Sequence, residues 1–274
     1  MLLGGEKAPP RLTGSRKRGT NRWFYFVAVL FYTSADRQKS RYYQIWCHLI
    51  SIYGTFRDNR PDSEMRTSSH INRKPAANIH HAVRIADHLG IPLNRWVTIN
   101  FSLTESAGRD ASFQFARLRK DYFGKWVTRP AIGSAFSPVP PTFVWAFEHG
   151  GGHLAVHWLV HVPPGRFTEF GLRLSSWVEV VAGKAVSPRT INVKPATTPR
   201  GACKYMLKGI DPAYASFYGI DHSPQGRVDG RRSGMSRNLG PAVKRRLQEL
   251  GEYRVARWAR PFPGPRSVSA GLAQ

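Results

Sequence analysis

Residues 153–163 alternate strictly between two classes of side chain. Leu154, Val156, Trp158, Val160 and Val162 take one parity, and Ala155, His157, Leu159 and His161 take the other. Successive side chains of a strand point to opposite faces, so the first set belongs against a core and the second carries histidines onto the opposite face. A similar run sets Val97, Ile99, Phe101 and Leu103 against Thr98, Asn100, Ser102 and Thr104 and predicts another strand. Residues 143–147 predict a third, joined to the histidine strand through Gly150-Gly151-Gly152. Ile191 and Val193 mark a short fourth.

Elsewhere the period is helical. Ala76, Ile79, Val83, Ala86 and Leu89 define a helix that Pro75 opens and Gly90 closes. Asp110 stands where it would cap a helix carrying Phe113, Leu118 and Tyr122. Phe167, Phe170, Leu174, Trp177 and Val181 predict a third helix, and Pro199 starts a fourth through Cys203, Met206 and Leu207. Val243, Leu247, Leu250 and Val255 predict a last, basic helix within 241–258.

From the first strand onward the order is β-α-β-β-α-β, followed by a helix. This predicts an α+β, ferredoxin-like antiparallel sheet whose first and third strands are central neighbours, with helices packed on one face and the later helix over the other. The Thr98 and Asn100 face would then adjoin the His157 and His161 face, and Asn192 and Lys194 would extend it. Three regions follow: a basic, partly disordered extension (1–75), a core (76–222) and a basic tail with a DNA-contacting helix (223–274). The apolar block at 23–33 is shorter than the ~20 residues a membrane span needs. It reads as a buried strand or short helix, and no membrane association is expected.

Charge narrows the partner. Lys and Arg number 41 against 17 Asp and Glu, a formal net charge of +24. Self-repulsion on that scale calls for a polyanion, and nucleic acid is the leading one. The two cysteines, Cys47 and Cys203, are far apart and in no metal spacing. A disulfide framework or zinc finger is therefore not expected, and a reducing cytoplasm fits. Trp126, beside Lys125 and Arg129, is the candidate ring for stacking single-stranded bases.

Tyr205 and Lys208 lie three residues apart, a spacing that puts both on one helix face. A tyrosine can attack a phosphodiester and hold the strand as a phosphotyrosine, but its ordinary pKa of about 10 calls for a neighbouring cation or base. By spacing alone, a packing tyrosine and a solvated lysine remain the alternative.

The β-α-β-β-α-β core, the histidine strand ending in His161-Val162-Pro163 and the later Tyr205-Met206-Leu207-Lys208 together resemble the HUH endonucleases. More narrowly, they resemble the rolling-circle replication initiators of bacterial plasmids and phages, over roughly residues 76–240. The resemblance implies an enzyme that nicks single-stranded origin DNA, links Tyr205 to the 5′ phosphate and leaves a 3′-OH, with Lys208 as the basic partner of the tyrosine. It also implies a Mg²⁺ or Mn²⁺ site. In the family two histidines flank a hydrophobic residue. Here the triplet is Ala155-Val156-His157, with alanine in the first ligand position. His157 and Glu148 remain as ligands, with His153 as a further candidate if a bulge shortens the roughly 13 Å of strand between it and His157. Thr98, Asn100, His161, Lys194, Lys204, Arg231, Arg232 and Arg237 are the expected DNA contacts. Single-stranded and origin DNA, with host replication machinery, are the expected partners, in a bacterial cytoplasm. Two alternatives stay open: a catalytically degenerate, DNA-binding copy of the fold, and a relaxase or transposase of a mobile element.

Overall fold

Each alternating segment turns its apolar parity toward one helical layer, and that choice sets the sheet. A computed structural model describes residues 67–129 and 139–253. These residues fall in one unit spanning 57–274. The basic arm, the apolar block at 23–33 and the last residues of the expected terminal helix lie outside the described residues. The elements are β1 (Thr67–Ser68), α1 (Arg73–His88), β2 (Arg95–Asn100), α2 (Ala111–Arg117), π-helical turns at Leu118–Phe123 and α3 (Gly124–Val127). Then come β3 (Phe143–Gly150), β4 (His153–Val160), α4 (Phe167–Ala182), β5 (Ile191–Pro195), α5 (Pro199–Met206), α6 (Pro212–Tyr218), β6 (Val228–Asp229), β7 (Ser233–Met235) and α7 (Pro241–Glu249).

The fold is α+β, with a five-stranded antiparallel sheet ordered β5-β2-β4-β3-β7. β2 and β4 are the expected central neighbours, flanked by β5 and β3 in the ferredoxin-like arrangement. β7 adds a strand to the outer edge of β3. Directly paired residues share a face, so the register sorts the side chains. Val97 pairs with Trp158 and Ile99 with Val156, and β3 supplies Trp145 and Phe147 opposite them. This face holds the main core, covered by α2, α3 and α4. Trp158 is fully buried, met edge-on by Phe123, Phe115 and Phe143 at ring distances of 5.0, 5.6 and 6.0 Å. Full burial of such a ring removes 150–250 Å² from water, on the order of 3–5 kcal/mol.

Two local expectations shift. β2 stops at Asn100 because its side-chain oxygen accepts from the Ser102 N–H at 3.1 Å, turning the chain into a 3₁₀ turn at Phe101–Leu103. Asp110 precedes α2 but makes no side-chain cap. It sits in the left-handed region at φ 54°, and the tight turn from Ala107 onward rotates the helix. Phe113 is therefore exposed, and Phe115 enters the core instead. The π-helical turns suit the five-residue spacing between buried Leu118 and Phe123, because one extra residue per turn keeps both on the core face.

The opposite face carries α1 and α5. α1 buries Ala76, Ile79, Val83 and Ala86, as its spacing predicts, and packs against α5, α7, β3 and β7. Residues 67–75 and 223–253 belong to this same structure rather than to an extension and a tail. β1 pairs with β6, the Ile71 N–H bonds the Gly209 carbonyl at 2.8 Å, and β7 pairs with β3. α7 buries Val243 and Leu247 and stops at Glu249. Among the described residues no helix is long and apolar enough to cross a membrane.

Candidate active site on the polar face of the sheet

One rung of the sheet builds the floor. Asn192, Thr98, His157 and Ala146 pair across β5, β2, β4 and β3. The Trp96 indole N–H donates to Thr98 Oγ1 at 3.1 Å, and Thr98 Oγ1 lies 3.1 Å from His157 Nδ1. An indole only donates, so the Thr98 hydroxyl accepts from Trp96 and joins that ring to the His157 imidazole. The Trp96 ring lies 5.1 Å from the His157 ring. In the adjoining rung Ala155 pairs with Asn100 on one side and Glu148 on the other.

α5 lies over this floor. Pro199 sits in its first turn, where a missing N–H costs nothing. Cys203 and Met206 are buried beneath it, and burial pushes the Cys203 thiol up to about 12, so the thiol is an apolar filler. Tyr205 points outward and is 52% exposed, with its ring edge-on to His157 and Trp96 at 5.5 and 5.8 Å. Lys208 follows the helix end. Its Nζ donates to Tyr205 Oη at 3.0 Å. The turn that carries it is pinned by Ser223 N–H bonding the Lys208 carbonyl at 2.9 Å. It is also packed so closely that a Cβ on Gly209 would stand 2.7 Å from Gln225 Cγ.

Glu148 joins helix to floor. Its Oε2 is 2.9 Å from Lys208 Nζ and 2.8 Å from His157 Nε2. These are close charge contacts rather than aligned hydrogen bonds, and neither Glu148 Oε2 nor His157 Nε2 has an aligned partner. Burial pushes the Glu148 carboxyl pKa up, but His157 and then Lys208 pull it down further, to about 2. Burial alone would pull the Lys208 ammonium pKa down. Its contacts with Tyr205 and Glu148 outweigh that and leave it raised. The pair is therefore charged at neutral pH, with one ammonium between a carboxylate and the tyrosine oxygen.

Beside Tyr205 opens a cleft of about 420 Å³ lined by Trp96, Thr98, His157, Lys194 and Gly201. Thr98 and Lys194, two of the expected DNA contacts, meet there. The others do not. His161 is buried, with its Nδ1 2.8 Å from the Pro92 carbonyl oxygen, and burial, only partly offset by that bond, pulls its pKa down. It is a neutral structural histidine. Arg232 is buried too, because the turn around it presents bare carbonyls. It donates to Ser68 O at 2.7 Å, to Gln225 O at 3.3 Å and to Gly226 O. Asn100 spends its oxygen on Ser102. Lys204 turns away from the cleft, its Nζ near Gly219 and its charge acting on His80. Arg231 bonds Ser233 O at 2.9 Å beside the β7 edge, and exposed Arg237 lies in the turn after β7. His153 is exposed at the hairpin end, paired with Gly150. Trp126 is no stacking platform. It lies in the core, with its indole N–H on Glu169 at 2.8 Å.

The residues present do not fit a divalent ion. Mg²⁺ asks for near-octahedral oxygen-rich coordination. This floor offers one carboxylate and one imidazole, an alanine at the third position, and an ammonium on the carboxylate oxygen itself. Among the described residues no three His, Cys, Asp or Glu gather as ligands. Trp96 was legible as a floor residue, since it shares the parity of Thr98 and Asn100. The meeting of Lys208 with Glu148 had no signal in spacing. Compared with known proteins, the chain matches no family model and no curated sequence.

Proposed function

We propose that this protein is a DNA strand transferase that nicks single-stranded origin DNA through a covalent link to Tyr205, as a replication initiator does. The observation that carries this reading is the exposed Tyr205 Oη, 3.0 Å from the Lys208 ammonium at the mouth of a polar cleft. The phenol oxygen attacks the scissile phosphorus. A tyrosine-oxygen-to-phosphorus bond forms and the bond to the 3′ oxygen breaks. The phenol proton passes to solvent, and the departing 3′ oxygen takes one from it. The reverse attack by a 3′-OH restores the phosphodiester and frees Tyr205, so no outside energy source is needed. Lys208 offsets the negative charge that gathers on the phenol oxygen and phosphate. Glu148 orients Lys208, and His157 with Thr98 braces Glu148 from the floor. Lys194 lies in the cleft where a neighbouring phosphate would run, and the +24 charge supplies the general attraction to DNA.

A random-sequence single-stranded DNA pool carrying a fluorophore tests the reading. With Mn²⁺ supplied, the wild type should give a DNA adduct that survives SDS and maps by mass spectrometry to the Tyr205 peptide. Tyr205→Phe should give none while keeping its melting temperature. An adduct that persists in Tyr205→Phe overturns the proposal. So does its absence from the wild type, which leaves a DNA-binding protein without the cleavage step.

A further inference from the structure

We propose that the Lys208 ammonium is the resident cation of this site and stands where a divalent ion would otherwise act, so that strand cleavage needs no metal. The chemistry rests on the tyrosine reading above, whereas the placement of the cation stands on geometry alone. Three observations converge. Ala155 occupies the rung position between Asn100 and Glu148, so the strand face offers no third donor there. Lys208 Nζ contacts Glu148 Oε2 at 2.9 Å and Tyr205 Oη at 3.0 Å, so a single positive charge bridges the carboxylate and the attacking oxygen. The lysine is also held in place: its side chain is 20% exposed and its backbone carbonyl is bonded to Ser223.

An ion bound to Glu148 Oε2 at the usual distance of about 2.1 Å would stand within a few ångströms of that ammonium. Like charges so close repel strongly in a partly buried site. The ammonium has three N–H donors, and its hydrogen bond to Tyr205 Oη uses one, so it keeps donor capacity for an oxygen of the scissile phosphate. A tethered cation in a fixed position supplies the charge stabilisation of a bound ion without a coordination shell to complete. His157 then has a different duty from a ligand: its Nε2, 2.8 Å from Glu148 Oε2, holds the carboxylate that contacts Lys208.

The test has an activity arm and a binding arm. In the first, adduct yield from the random single-stranded DNA pool is compared in EDTA and in Mn²⁺, and the wild-type yields should agree within roughly twofold, with Lys208→Met lowering both about 100-fold. An adduct that forms only with Mn²⁺ overturns the proposal and leaves the tyrosine reading intact. In the second, Mn²⁺ is titrated by electron paramagnetic resonance into Ala155→His and into the Lys208→Met/Ala155→His double variant, each checked for wild-type-like melting. The double variant, with three donors and no ammonium, should bind Mn²⁺ at least about tenfold more tightly than Ala155→His alone. Equal binding by the two overturns the placement of the cation. This second arm reads out even if no adduct ever forms, so a failure of the cleavage reading is told apart from a failure of this one.

Discussion

Trp158 and His157 are neighbours in β4, yet they stand on opposite faces of the sheet in two different kinds of environment. On the Trp158 side, aromatic rings from β3, α2, α4 and the π-helical turns surround an indole with no solvent exposure. Attraction there is non-directional, many contacts share the load, and the cost of a change scales with the volume removed. On the His157 side five polar groups from β2, β3, β4 and the end of α5 form one line: Trp96, Thr98, His157, Glu148 and Lys208. Each has one or two partners, so the arrangement is easy to disable and cheap to lose in stability. One strand supplies both the stability and the site because side chains alternate.

That contrast can be broken at graded strength. The largest loss of stability belongs to the apolar face: Trp158→Ala should cost about 3–5 kcal/mol in urea unfolding. A loss of less than about 1 kcal/mol would mean that the face is not the stabilising one. Tyr205→Phe on the other face should leave the melt unchanged. Next comes Arg232, which charge counting puts on DNA and the fold puts under β1. Arg232→Met should cost roughly 1–3 kcal/mol, because the carbonyls of Ser68, Gln225 and Gly226 lose a buried donor. The slope of DNA affinity against salt should stay as in the wild type, and a slope smaller by about one phosphate contact would return Arg232 to the DNA interface.

The smallest effect sharpens the polar face. Glu148 has its pKa depressed from 4.5 to about 2. A depressed carboxylate contributes stability that is present above its unfolded pKa and fades as pH falls through its folded pKa. The wild type should therefore lose this increment between about pH 4.5 and about pH 2. Melting curves of Glu148→Gln over that window should be flatter, and equal slopes for the two proteins would show that the carboxylate is not held by Lys208 and His157.

Much of this was legible in the chain. The helical spacing at Ala76, Ile79 and Val83 places α1, and the four strand segments become β2 to β5 in the expected order. Local turn chemistry produced the misses. The Asn100 side chain diverts β2 early, and the left-handed turn at Asp110 exchanges Phe113 for Phe115. Arginine-rich composition could not separate Arg232, consumed by backbone carbonyls, from Lys194 in the cleft. His161 shares its parity with His157, but it lies past the strand end and is taken up by the Pro92 carbonyl.

The sequence by itself determined which side chains share a face, and it paired Tyr205 with Lys208. Both are consequences of local covalent geometry, a period of two along a strand and a three-residue spacing that the turn closing α5 keeps, where the Lys208 N–H bonds the Tyr205 carbonyl at 3.1 Å. Only the tertiary structure decided which floor residue the lysine would meet. Glu148 reaches Lys208 because β3 lies beside β4 in the sheet and the turn after α5 docks over both. That meeting joins residues far apart in the chain, and no short-range period encodes it. It also decides the character of the site, because an ammonium rests on the one carboxylate that a metal ion would need.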